Sequence, residues 1–209
     1  MTIIAKIFQV ITYWPICLIF RFFVDFKVYG QENLKGLENK PIIFTSNHAS
    51  YLDGPICAAS IPCYKGKFCP HGFFPIRFLV MKKFFKWRYL LVAFYVWING
   101  SIKISLNKKG DLAIILKDTI KALENNNRIW IYPEGKISQN IQFKKGKRGV
   151  AYLHQQTGAP IVPVFIKGTF GILSFKTLLR TKKVRVIIGS PIYSLGDISL
   201  EQGVDKVMS

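Results

Sequence analysis

Half of the 209 residues are hydrophobic, enough for a buried core, and the length fits one domain. With 30 Lys and Arg against 11 Asp and Glu, the formal charge is +19, which draws the surface toward nucleic acid, anionic lipid headgroups or acidic carrier proteins. An aromatic fraction of 14% and a mean hydropathy of +0.23 depart from the polar, basic profile of a nucleic-acid binder, so membrane lipid is the expected partner and nucleic acid is not.

The chain opens on an uncharged run from Ile7 to Phe20, bracketed by Lys6 and Arg21. The run falls short of the ~20 residues that cross a bilayer. It lacks the small-residue cleavage site of a secretory signal and is expected to stay attached. Pro15 should divide it into two short apolar pieces, with Tyr13, Trp14, Phe20, Phe22 and Phe23 at headgroup depth. This predicts a membrane-associated helical segment over residues 1–28, lying in one leaflet, followed by a domain over 29–209. An ordinary core helix is the alternative.

Pro41 to Ser46 reads as an apolar strand, and His48 and Asp53 follow it closely. Five positions apart on a helix, two side chains lie about 140° from one another, so this pair meets only across a turn. Pro55, tolerated in the first turn of a helix, puts Asp53 at or near an N-cap and His48 in the strand-to-helix loop. There the carboxylate can accept the Nδ1 proton and leave Nε2 free to take a proton from a bound hydroxyl, as in a triad whose serine is replaced by substrate. Read structurally instead, Asp53 caps a helix, or Ser50-Tyr51-Leu52-Asp53 is a capping box beside an incidental His48.

Cys17, Cys57, Cys63 and Cys69 lack the paired spacing of zinc ligands, even with His71 close by, and read as reduced thiols; no metal is expected. Phe73 to Ile98 mixes aromatic residues with Arg77, Lys82, Lys83, Lys86 and Arg88, which fits a basic amphipathic surface on anionic lipid or, equally, a core helix with a solvated face. Ser101 to Ser105, Arg128 to Tyr132, Pro160 to Ile166 and Val184 to Ile188 read as further strands. Between them, Asp111 to Glu124 carries Leu112, Ile115, Leu116, Thr119, Ile120 and Leu123 at helical spacing, with Asp111 after Gly110 as a start and Asn125-Asn126-Asn127 as a stop. Gly149 to Gln156 gives another helix. The alternation predicts an α/β fold, a mixed sheet flanked by helices, with ligands beyond the strand ends.

A second motif ends the Arg128 strand. Tyr132-Pro133-Glu134-Gly135 places one carboxylate and backbone amides at a strand edge, and Lys144, Lys145, Lys147 and Arg148 follow. With it, the chain resembles the glycerolipid acyltransferase family typified by lysophosphatidic acid acyltransferase. Four blocks carry the resemblance in order: Asn47-His48 through Asp53, Gly100-Ser101-Ile102-Lys103-Ile104, Tyr132-Pro133-Glu134-Gly135 and Ile161-Val162-Pro163-Val164, within a motif-bearing core of residues 40–170.

The resemblance implies a membrane-associated O-acyltransferase of phospholipid biosynthesis, and the reduced thiols, the basic surface and a cytosolic thioester donor give the cytoplasmic face as its expected location. His48 would be its general base and Asp53 the orienting partner, while Glu134 and Gly135 would shape the acceptor site. The donor would be acyl-CoA or acyl carrier protein as co-substrate, with no cofactor, and the acceptor a lysophospholipid hydroxyl, foremost that of 1-acylglycerol 3-phosphate. Two arginines that usually end the second and third blocks, thought to hold the acceptor phosphate, correspond here to Leu106 and Ile137. Lys103 and Lys136 lie nearby as substitute charges. A different lysolipid acceptor, or a thioesterase using water, is the alternative reading.

Overall fold

The structure, a computed structural model, describes residues 2–64, 67–82, 90–105, 111–137, 145–172, 182–196 and 198–208. Leu106, Lys83, Lys86, Arg88, Gly110 and Lys144 lie outside them.

Among the described residues, seven strands form one sheet in the order β1 (Asp25–Tyr29), β7 (Lys183–Ile188), β6 (Ile161–Lys167), β2 (Ile42–Ser46), β5 (Arg128–Ile131), β3 (Ile76–Met81) and β4 (Ile102–Ile104). All neighbours are parallel except β6 and β7. Helices α1 (Thr2–Phe23) and α2 (Asp53–Ser60) cover one face, with α3 (Leu90–Ile98) alongside α1. On the other face lie α4 (Leu112–Glu124), α5 (Gly149–Thr157) and α6 (Leu200–Met208). The expected α/β architecture, a mixed sheet flanked by helices, is the one observed.

β2 and β5 sit at the centre and are buried along their whole length. Parallel strands covered on both faces must be apolar throughout, which is how Ile42-Ile43-Phe44 and Ile129-Trp130-Ile131 read. Phe44 stacks on Trp130 with ring centroids 4.9 Å apart on the α1–α2 side, and Ile43 and Ile129 face the α4–α5 side. Burying each such side chain stabilises the fold by about 2–3 kcal/mol. α4 begins where its sequence signal says, with the Asp111 carboxylate accepting from Ala113 N at 2.8 Å.

Three features differ from the sequence reading. α1 is one 22-residue helix that runs through Pro15 instead of two short pieces. Pro15 lies on the exposed side of α1, and Lys6 and Arg21 are exposed members of the helix rather than its ends. By length and composition, Ile3–Phe23 is therefore enough to cross a membrane. Its other side is tied to the domain: Gln9 donates to Ile76 O at 2.9 Å, accepts from Ile76 N at 2.9 Å and donates to Asn99 O at 3.2 Å, and the Tyr13 hydroxyl donates to Ile61 O at 2.9 Å.

β1 is the second difference. It pairs with β7, so the boundary expected at residue 28 falls inside a strand. Third, the stretch from Phe73 to Ile98 contains β3 and then α3 rather than one amphipathic helix. Arg77, read as a lipid-facing cation, turns inward and donates from Nε to Gly100 O at 2.6 Å. Gly100 itself has φ 68, and a Cβ there would stand 2.9 Å from Ala5 Cβ, so its bareness lets α1 close onto the sheet edge.

Candidate active site

Because β2 and β5 are parallel neighbours, the two motifs that follow them leave the same edge of the sheet side by side. Asn47 fixes the point at which the β2 chain departs. Its side chain donates to Ile166 O and accepts from Ile166 N, both at 2.8 Å, and so continues the β2–β6 ladder by one residue.

His48 and Asp53 then meet across the turn: Nδ1 lies 2.9 Å from Asp53 Oδ2. The same oxygen accepts from Ala49 N at 2.7 Å and Ser50 N at 2.8 Å. One carboxylate therefore both orients the ring and folds the loop. The two readings of Asp53, ring partner and capping-box acid, are both realised at Oδ2, because the bond from Ser50 N is the return half of a capping box. Asp53 is the first residue of α2, and its side chain serves the preceding loop rather than capping the helix. Pro55, two residues on, sits in the first turn, where a missing N–H costs nothing.

Exposure separates the pair. The His48 side chain keeps 19% of its surface accessible and Asp53 has none, so substrate can reach the ring while the charge that orients it stays out of water. Asp53 Oδ1 is buried without a hydrogen-bond partner among the described residues. Gly54 and Pro55, next to Asp53, line a narrow cleft shared with Thr12, Tyr13 and Ile16 of α1 and Phe78 of β3.

At the end of β5, Tyr132 lies flat against the imidazole, with centroids 4.0 Å apart and planes 14° from parallel. Its hydroxyl is 3.8 Å from Cys57 Sγ. Burial pushes both the Tyr132 phenol and the Cys57 thiol well above their ordinary values, so both stay neutral at working pH. The chain then turns, with Gly135 N bonded to Tyr132 O at 2.9 Å and Gly135 at φ 68. Glu134 is buried inside this turn, and its Oε2 has no hydrogen-bond partner among the described residues.

His48, Asp53, Glu134 and Gly135 are thus gathered at one edge. Lys136 follows in the turn with an exposed side chain. Lys103 is elsewhere: it pairs with Val80 on β4, on the sheet face of Phe78 and Trp130 but three strands from β2, roughly 14 Å at ordinary strand spacing. Ile137, at the exit of the turn, brings no charge. The sequence reading quoted Asn47 and Tyr132 as parts of blocks without giving either a role. Strand alternation carries the signal for Tyr132, since it shares the face of Trp130 and Phe44 and therefore emerges under the loop that follows β2.

Residues 25–167 match the family model described as Acyltransferase. Over 207 residues the chain is 25% identical to a chloroplastic 1-acyl-sn-glycerol-3-phosphate acyltransferase of Brassica napus, covering 98% of this chain and 54% of that protein. Over 159 residues it is 29% identical to the 1-acyl-sn-glycerol-3-phosphate acyltransferase of Saccharomyces cerevisiae, covering 73% of this chain and 46% of that one. The chain spans about half the length of these curated relatives. Its fold is that of the crystal structure of the 1-acyl-sn-glycerophosphate acyltransferase PlsC from Thermotoga maritima, at a TM-score of 0.67 and 20% identity, covering 98% of this chain and 73% of that one. With the matched region running from β1 through β6 and enclosing both motif loops, the chain belongs to the acyltransferase family.

Proposed function

We propose that the protein transfers a fatty acyl group from acyl-CoA or acyl carrier protein to the hydroxyl of a lysophospholipid, foremost 1-acylglycerol 3-phosphate, yielding phosphatidic acid. The observation that carries the reading is the single buried oxygen of Asp53 that holds both His48 Nδ1, at 2.9 Å, and the loop beneath the ring. His48 Nε2 takes the proton of the lipid hydroxyl as its oxygen attacks the thioester carbonyl. Collapse of the tetrahedral intermediate breaks the C–S bond, and the leaving thiolate takes the proton back from the imidazolium, giving ester and free thiol. Asp53 stabilises the imidazolium, Tyr132 holds its plane, and Glu134 and Gly135 shape the acceptor pocket. Lys136, exposed in the same turn, adds positive charge beside it.

A lipid acceptor needs a membrane surface, and α1 and α3 offer one. Ile3, Ile7, Ile11 and Phe22 of α1 and Leu90, Phe94 and Trp97 of α3 are exposed. The exposed cations Lys6 and Arg21 flank this apolar strip, as expected of a helix lying in the headgroup region of a cytoplasmic leaflet. A helix pinned along one side by Gln9 and Tyr13 supports an interfacial placement over a spanning one.

The test is a purified-protein assay in mixed micelles with one labelled acyl thioester and a panel of lysolipids. Acylated lipid should form, and His48→Ala should lower kcat by ~10³–10⁴-fold. Free fatty acid without acylated lipid would make the protein a thioesterase, with water as the acceptor.

A further inference from the structure

We infer that Lys147 is the cation that binds the acceptor's phosphate, a role that rests on the phospholipid-acceptor reading above. Ile137 leaves the Pro-Glu-Gly turn without a charged side chain at its exit, yet a lysine from a later segment lies over the turn. A Cβ added to Gly135 would stand 2.7 Å from Lys147 Nζ and 3.0 Å from its Cε, so the side chain occupies the space that the glycine leaves open.

Two contacts hold the lysine there. Lys147 N donates to Pro133 O at 3.0 Å, which fastens its backbone to the turn. The preceding Gly146 is seated between the turn and α6, since a Cβ on it would meet Val204 Cγ1 at 2.5 Å and Pro133 Cβ at 3.4 Å. Laying a lysine along a surface sacrifices rotamer freedom, and neither of these contacts recovers that for the ammonium. Among the described residues, Lys147 Nζ has no hydrogen-bond or ion-pair partner. Its neighbour Arg148 is engaged instead, 3.3 Å from Glu201 of α6.

The position suits the substrate. In an acylated glycerol phosphate the free hydroxyl and the phosphate ester sit on neighbouring carbons. In the protein the ring that would take the hydroxyl's proton stacks on Tyr132, and the Tyr132–Gly135 turn lies under the ammonium. One short turn thus links the two groups that would grip the two ends of the acceptor's head. A lysine is a point charge rather than a planar fork, so it can meet a phosphate monoester from a strand-end turn without the bidentate geometry that arginine requires.

The experiment compares wild type, Lys147→Met and Lys147→Arg on two acceptors of the same chain length, lysophosphatidic acid and the uncharged monoacylglycerol, with binding of each measured by tryptophan fluorescence in micelles. Lys147→Met should raise the KM for lysophosphatidic acid about ten- to a hundredfold, with kcat, donor KM and monoacylglycerol binding little changed, and Lys147→Arg should recover most of the loss. An unchanged KM, or equal losses on both acceptors, would overturn the assignment. If wild type acylates neither lipid but Lys147→Met still weakens lysophosphatidic acid binding selectively, the acyl-transfer reading fails and the anion site stands. With neither transfer nor selective weakening, both fail.

Discussion

The loops that leave β2 and β5 lie side by side and solve the same problem differently. The β2 loop is closed on itself, because His48, Ala49 and Ser50 all converge on one oxygen of Asp53 within six residues of chain. The β5 turn is not. Its buried Glu134 leaves Oε2 unpaired among the described residues, and the surface of the turn is completed by Lys147, which arrives from the start of α5. A loop whose partners are local is preorganised before substrate arrives, which suits the group that must take a proton. A turn completed by a distant side chain can change its specificity by changing that side chain alone.

The comparison breaks most decisively at Asp53. Asp53→Asn keeps an oxygen for the loop amides but removes the charge opposite the imidazolium and puts an amide where Oδ1 is buried without a partner. The kcat should fall by ~10³–10⁴-fold while the KM of either substrate changes little. Steady-state kinetics on the folded variant, checked by circular dichroism, decides it. If activity survived within tenfold, the carboxylate would be a loop clasp and nothing more.

Gly135→Ala probes the other loop and should do less. Its φ of 68 strains any L side chain, by about 1 kcal/mol, and the new methyl would push the Lys147 ammonium from its seat. We expect the melting temperature to drop by a few degrees and the acceptor KM to rise about tenfold, with kcat held within about threefold. A fall in kcat as large as that of Asp53→Asn would mean that the turn positions the reacting carbonyl as well as the headgroup.

That division also explains what the sequence could disclose. The His48–Asp53 contact was legible because everything that makes it, the strand end, the turn and the Pro55 helix start, is contiguous. The central strands were legible because burial on both faces leaves continuous apolar runs such as Ile42-Ile43-Phe44. β1 and β3 were not: Asp25–Tyr29 and Ile76–Met81 are embedded in longer apolar and basic stretches, where periodicity cannot separate a short strand from a helix. Pro15 misled because a proline on the outer side of a helix packed along its other side is tolerated, and a linear sequence does not show which side is packed. Lys147 stayed hidden for a related reason. Only the folded chain brings residue 147 over residue 135, whereas Lys136 was singled out merely for being adjacent in sequence.

Tyr132 joins the two loops, and the smallest expected effect tests what kind of joint it is. Its ring lies against His48 at 4.0 Å, and among the described residues its hydroxyl reaches only Cys57. If the contribution is the flat platform, Tyr132→Phe should keep kcat within about threefold, since the stacking survives and one weak O–H to sulfur contact is lost. The pH profile should also keep its shape. A phenol raised by burial above its usual value of about 10 stays protonated through the working range, so removing it deletes no titrating group from either limb. Loss of an alkaline limb in the Phe variant would show that the hydroxyl ionises during turnover. Tyr132→Leu, by contrast, removes the platform while Asp53 still holds Nδ1. It should lower kcat more than the Phe variant and less than Asp53→Asn, because the imidazole then keeps its charge partner but loses the surface that fixes its plane.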